Sequence, residues 1–231
     1  INKGGNKDHK QEWLTPVEEP RGEMVGTGGN IKDRMLGGSN NRDARWHEVC
    51  SVDLASGKLT KVLENDGDDA GFLADDNLAL RIAIRSRPDV GNDFFHVQGD
   101  KVDDKPFSSV GLDDSQTTQP SGFTYDGKTL YWLDSRDRDT AALTRQDVGS
   151  GKTTIVAQNP KADIGGVMAN PKTGEVQAYA VDYLNDEWTA LDPSIATDLD
   201  FLKARLKGQY DVTSRTDADD LWTVDGDPGK A

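Results

Sequence analysis

One segment of this chain occurs twice, and a period restricts the fold more than any local propensity does. Residues 42–65 read RDARWHEVCSVDLASGKLTKVLEN and residues 136–159 read RDRDTAALTRQDVGSGKTTIVAQN. Aligned without a gap they share 9 of 24 positions, where unrelated segments share roughly 1–2. The offset of 94 residues is too long for one solenoid repeat and fits two units of about 40–50 residues, the length of a propeller blade. A second recurrence marks the units between. Gly71-Phe72-Leu73-Ala74-Asp75-Asp76, Gly122-Phe123-Thr124-Tyr125-Asp126-Gly127 and Gly166-Val167-Met168-Ala169-Asn170-Pro171 each head an alternating stretch, 51 and 44 residues apart. Each unit reads short apolar strand, polar turn, alternating strand, turn, strand, Gly-Lys turn, strand. Four antiparallel strands at this spacing form a propeller blade. A flat sandwich shares the strand spacing, but nothing in it calls for the same turn residues two units apart.

Residues 1–29 are polar and glycine-rich, with Trp13-Leu14-Thr15-Pro16 as a strand end, and read as the outer part of an incomplete blade. Ile31–Leu63, Gly71–Val110 and Gly122–Val156 read as the next three units, and a further one starts at Gly166. One helix interrupts the pattern near 194–207. Asp192-Pro193-Ser194 opens it, Ile195, Leu199, Leu202 and Leu206 share a face, and Gly208 closes it. Gln209–Val224 begins a last unit. The expected fold is all-β: a partial β-propeller of about five four-stranded blades with one inserted helix, with residues 1–231 forming a single propeller domain or fragment.

Charge narrows the function classes. The 231 residues hold 27 Lys+Arg against 41 Asp+Glu, a formal net charge of −14. No basic field is available for phosphates, so neither nucleic acid nor an anionic membrane is an expected partner. No apolar run is long enough to span a bilayer. Cys50 is the only cysteine, so an intramolecular disulfide and a multi-thiolate zinc site are both excluded. The acidic stretches Asp66-Gly67-Asp68-Asp69 and Asp217-Ala218-Asp219-Asp220 lack the glycine and distal glutamate of an EF-hand, and are read as solvated turn carboxylates. No metal or other cofactor is expected.

A nucleophile elbow, Gly-X-Ser-X-Gly, is absent from these residues. The histidines are His9, His47 and His96, one in the polar leader and two in strands, and none is placed by sequence beside a serine. Catalysis by this chain alone is not expected. The binding candidates come from the repeat. Arg42-Asp43 and Arg136-Asp137 occupy equivalent blade positions, followed by Trp46 and Arg138. They read either as Arg–Asp contacts tying loops together or as residues facing a peptide or another domain. Trp46, Trp132 and Trp188 read as packed between blades.

The strings Asn40-Asn41-Arg42-Asp43-Ala44-Arg45-Trp46-His47-Glu48-Val49, Asp53-Leu54-Ala55-Ser56-Gly57-Lys58, Leu133-Asp134-Ser135-Arg136-Asp137-Arg138-Asp139-Thr140-Ala141 and Trp188-Thr189-Ala190-Leu191-Asp192-Pro193 resemble one family. It is the N-terminal β-propeller of S9 serine peptidases, the prolyl oligopeptidase-like group that includes dipeptidyl and acylaminoacyl peptidases. The resemblance implies a propeller that covers a C-terminal α/β-hydrolase domain and admits peptides to a buried serine. Its partners would be the peptide substrate and that hydrolase domain. Two alternatives stand beside it. One is a standalone propeller-like protein that binds a peptide, glycan or protein. The other is an incomplete propeller that closes by self-association of its open strand edges into a homo-oligomer.

Overall fold

The computed structural model describes residues 22–43, 45–206 and 208–227. The expected strand end at Trp13–Pro16 lies outside them. The chain divides into two compact units at Leu112/Asp113. In the first, β1 (Gly22–Thr27), β2 (Arg34–Asp43), β3 (Trp46–Asp53) and β4 (Leu59–Leu63) pair in sequence order as an antiparallel sheet. Gly22–Thr27 therefore belongs to the blade expected to begin at Ile31 and is not part of a separate one. The next sheet runs β5 (Gly71–Ala74), β6 (Leu80–Ser86), β7 (Asn92–Gln98) and β8 (Lys101–Val102), with β9 (Ser108–Val110) also on β7. Leu36, Val49 and Leu63 of the first sheet pack against Leu80, Ala83, Phe95 and Val97 of the second. This face-to-face burial is what the alternating apolar positions supply.

The second unit opens with β10 (Gln119–Phe123), β11 (Thr129–Asp134), β12 (Ala142–Asp147) and β13 (Thr153–Ala157), again paired in order. β14 (Ile164–Ala169), β15 (Val176–Tyr183) and β16 (Asn185–Ala190) follow as a three-stranded sheet. Tyr131, Leu133 and Leu143 bury against Ile164 between these two sheets. Where a fourth strand was expected, the chain makes a 3₁₀ turn at Pro193–Ile195 and then α1 (Ala196–Arg205). Asp192 caps the turn, its carboxylate accepting from the Ser194 N–H at 2.9 Å. Ile195 and Leu199 pack with Met168 and Ala178, so the helix takes the place of the outer strand. It stops at Leu206, which is extended at φ −100°, ahead of the expected stop at Gly208. β17 (Gln209–Arg215) and β18 (Trp222–Asp227) form a last hairpin. The fold is all-β with a propeller-like arrangement and one helix, and the strand number varies from two to five per sheet. Among the described residues no helix is long and apolar enough to cross a membrane.

The two recurrences mark strand 3–4 turns in two sheets and strand 1–2 turns in three. Asp53 accepts from the Ser56 N–H at 2.7 Å and from its hydroxyl at 2.6 Å. Asp147 accepts from Ser150 in the same way, at 2.7 and 2.7 Å. Gly57 at φ +73° and Gly151 at φ +70° complete the turns in the left-handed region. At the strand 1–2 turns, Asp75, Asp126 and Asn170 use one side-chain oxygen to accept from backbone N–H groups two residues ahead.

Candidate functional site

The turns just described join strands 1–2 or strands 3–4 within a sheet. In an up-and-down sheet the strand 2–3 connections lie at the opposite end. Every candidate site residue falls there, as do three backbone outliers. Val90 in the β6–β7 connection has φ +65°, Asp137 between β11 and β12 has φ +60°, and Leu184 between β15 and β16 has φ +60°. A non-glycine residue in this region is strained, most of all a β-branched one, and such strain gathers at functional sites. Val90 is 69% exposed and Leu184 is 90% exposed.

At the β2–β3 connection Asp43 pairs with Trp46 through the backbone, while the Asp43 side chain lies outside the described residues. Arg42 gathers carboxylates. Its Nε donates to Glu48 at 2.6 Å and its Nη2 to the Asn65 carbonyl at 2.9 Å, with Asp66 at 3.3 Å and Glu64 at 3.8 Å. The Glu48 hydrogen bond holds the Arg42 guanidinium above its ordinary pKa. Asn65 fastens this end of the sheet by donating to the His47 and Asp69 carbonyls. Trp46 is half-buried.

The β11–β12 connection solves the same problem differently. Arg136 grips Asp134 with Nε at 2.9 Å and Nη2 at 2.8 Å, and its guanidinium lies 5.7 Å from the centroid of the Trp132 ring. Arg138 donates to the Asp134 carbonyl at 2.9 Å. Burial pushes the Asp134 carboxyl up, but hydrogen bonds from the Arg136 side chain and N–H outweigh it and hold the group below the usual range. Asp137 is exposed at the tip. Among the described residues neither arginine is paired with the aspartate that follows it. Arg42 reaches Glu48, Asp66 and Glu64, and Arg136 takes Asp134, two residues before it.

Of the tryptophans, Trp132 is fully buried and donates to Gln146, and Trp188 donates to the Tyr210 carbonyl beside the Leu199 cluster. The acidic stretches are not simply solvated. Asp69 is buried against Arg85, Nη2 to Oδ1 at 2.8 Å, and burial raises its pKa in spite of that partner. Asp219 is clasped by Arg215, Nε to Oδ1 at 2.6 Å. Among the described residues no three His, Cys, Asp or Glu side chains gather as metal ligands. His47 stands 3.8 Å from Glu23, and His96 stacks on Phe107. The exposed tips at Val90 and Leu184 were not marked by the sequence. The signal available there was slight: no glycine stands at 184, and at the other tip Gly91 follows Val90.

No family model matches the chain. Across 211 residues, 91% of this chain, it is 46% identical to dipeptidyl aminopeptidase BIII of Pseudoxanthomonas mexicana. The resemblance to the S9 peptidase propeller holds. The chain spans 30% of the length of that relative. Among solved structures, one from a study of two prolyl endopeptidases aligns with a TM-score of 0.50 at 13% identity, over 81% of this chain and 30% of that one. TolB from Acinetobacter baumannii aligns at 0.48 and 14% identity, over 80% and 44%.

Proposed function

We propose that this chain is the propeller segment of an S9-type serine peptidase, one that screens peptides and meets an α/β-hydrolase domain carried elsewhere in the polypeptide. The observation that carries the reading is the 46% identity to a dipeptidyl aminopeptidase over 91% of the chain. The chain itself supplies no nucleophile elbow, so in this reading the reacting serine belongs to the hydrolase domain and the propeller contributes selection and docking.

The strand 2–3 connections of each unit are the contact candidates in this reading. Arg42 combines an accessible guanidinium with fixed carboxylate partners, and Trp46 supplies a half-buried ring beside it. Asp43 lies on the same connection. Arg136 and Arg138 are committed to Asp134 and position the loop that presents Asp137 to solvent. Assaying turnover of an amino-terminal dipeptide substrate by residues 1–231 alone and by the native protein tests the proposal. It expects turnover by the native protein that a serine-reactive inhibitor abolishes, and none by 1–231. Inhibitor-sensitive turnover by pure 1–231, or an inert native protein, would overturn it.

A further inference from the structure

The β15–β16 tip departs from ordinary hairpin chemistry in three separate ways. A bend of this kind favours glycine or asparagine, yet Leu184 occupies it at φ +60° with 90% of its surface in solvent. Tyr183 beside it is 48% exposed. Asp182 and Asp186 are directly paired across the two strands, where like charges repel. Asp211 adds a third carboxylate, and burial together with these two neighbours raises the pKa of Asp186.

Several other carboxylates of this protein are paired. Arg87 holds Asp89 and Asp93, Arg136 holds Asp134, and Arg215 holds Asp219. Among the described residues no cationic side chain lies within ion-pair distance of Asp182, Asp186 or Asp211, and Asp186 has only the Gln209 amide, at 2.7 Å. An exposed apolar tip beside carboxylates that no described cation pairs fits a partner that brings apolar surface and positive charge together. A second copy of this chain, at net charge −14, would set acid against acid.

We propose that the Tyr183–Leu184 tip docks peptides that carry an apolar side chain flanked by lysine or arginine. Leu184 and the Tyr183 ring take the apolar side chain, and the peptide cations neutralise Asp182, Asp186 and Asp211. The field of the acidic chain draws such peptides in from a distance. The inference rests on the peptide-screening reading and gives it a substrate class.

The test uses the full 231-residue chain with ¹³C-labelled leucine methyls. It is titrated with the capped peptide Ac-Lys-Leu-Lys-Leu-NH2, and with Ac-Glu-Leu-Glu-Leu-NH2 and Ac-Lys-Ser-Lys-Ser-NH2 as controls. The Leu184 methyls shift saturably with the first peptide and with neither control. Asp182→Asn with Asp186→Asn weakens binding about tenfold and removes most of its salt dependence. Leu184→Ser abolishes it while the other leucine methyl signals, which report the packed core, stay in place. Equal shifts with all three peptides, shifts confined to other leucines, or unchanged affinity in the double asparagine variant would overturn the proposal. Those results would leave the peptidase reading standing, because that reading is decided by turnover in the native protein.

Discussion

Arg136→Met isolates the ion pair that builds the β11–β12 connection. The wild-type guanidinium gives Asp134 two hydrogen bonds, at 2.9 and 2.8 Å, and the Asp134 side chain is only 10% exposed. Methionine keeps much of the apolar stem over Trp132 but leaves the carboxylate with one remaining donor, the backbone N–H of residue 136 at 3.0 Å. Removing one partner of a buried pair costs about 3–5 kcal/mol. The Arg136 side chain is 34% exposed, so water recovers part of that, and the expected loss is about 2–3 kcal/mol at pH 7. The pH dependence gives a second readout. In the wild type the folded Asp134 pKa is lowered. Its contribution is thus fully present above the ordinary carboxylate pKa of about 4 and fades as pH falls through the lowered value. In the variant burial acts on the Asp134 carboxyl without the Arg136 guanidinium to offset it, so protonation in acid should relieve the loss. Urea unfolding at pH 7, 5 and 3 should show the gap between the two proteins closing towards pH 3. Asp134→Asn in both backgrounds should remove the pH dependence. A gap below about 0.5 kcal/mol at pH 7, of the size of a solvated surface pair, or one that is the same at pH 3 and pH 7, would refute the assignment.

Three further outcomes are expected. Arg215 links the last hairpin to its neighbour by donating to the Ala169 carbonyl at 3.0 Å and to Gln177 at 2.9 Å while holding Asp219 and stacking 4.5 Å from the Trp222 centroid. An isolated two-stranded hairpin is marginal, so Arg215→Met should speed amide exchange across 209–215 and 222–227 by at least about tenfold, roughly 1.4 kcal/mol, and leave β10–β13 unchanged; uniform acceleration would contradict a local role. Gly57→Ala and Gly151→Ala should each cost about 1–2 kcal/mol, because both residues are left-handed, and the two costs should agree; a clear inequality in urea midpoints would show that the repeated turns are not equivalent. Burial and the Glu175 carboxylate, which accepts the phenol's hydrogen bond, push Tyr131 up to about 12. Burial also raises Tyr210, so ultraviolet titration should show two late-ionising tyrosines, of which Tyr131→Phe removes one; an unchanged late amplitude in that variant would be inconsistent with the reading.

The blade plan was legible because its turns are made by local chemistry. An aspartate that accepts from a serine three residues on, followed by a left-handed glycine, needs no tertiary context, and residues 53–58 and 147–152 fold alike for that reason. The partners of Arg42 and Arg136 were not legible. The β2–β3 connection is short enough for Asp43 to pair with Trp46, which leaves Arg42 to reach Glu48 and the residues after β4. The longer β11–β12 connection lets Arg136 fold back on Asp134. Asp69 looked like a turn carboxylate because its cation, Arg85, is 16 residues away in sequence. Leu184 carried no turn signal, since a leucine at a bend is chosen against local propensity and only the backbone shows the strain. The helix face was visible in the spacing of Ile195 and Leu199, but its replacement of an outer strand depends on packing against Met168 and Ala178.

The intact mass of the protein from its native source tests the central claim most directly. A mass above 25.2 kDa by at least a hydrolase-sized domain of about 200–250 residues is the predicted result, and it would make this chain the screening propeller of a longer peptidase. A mass of 25.2 kDa would contradict that account and leave a propeller-like protein that acts by binding alone.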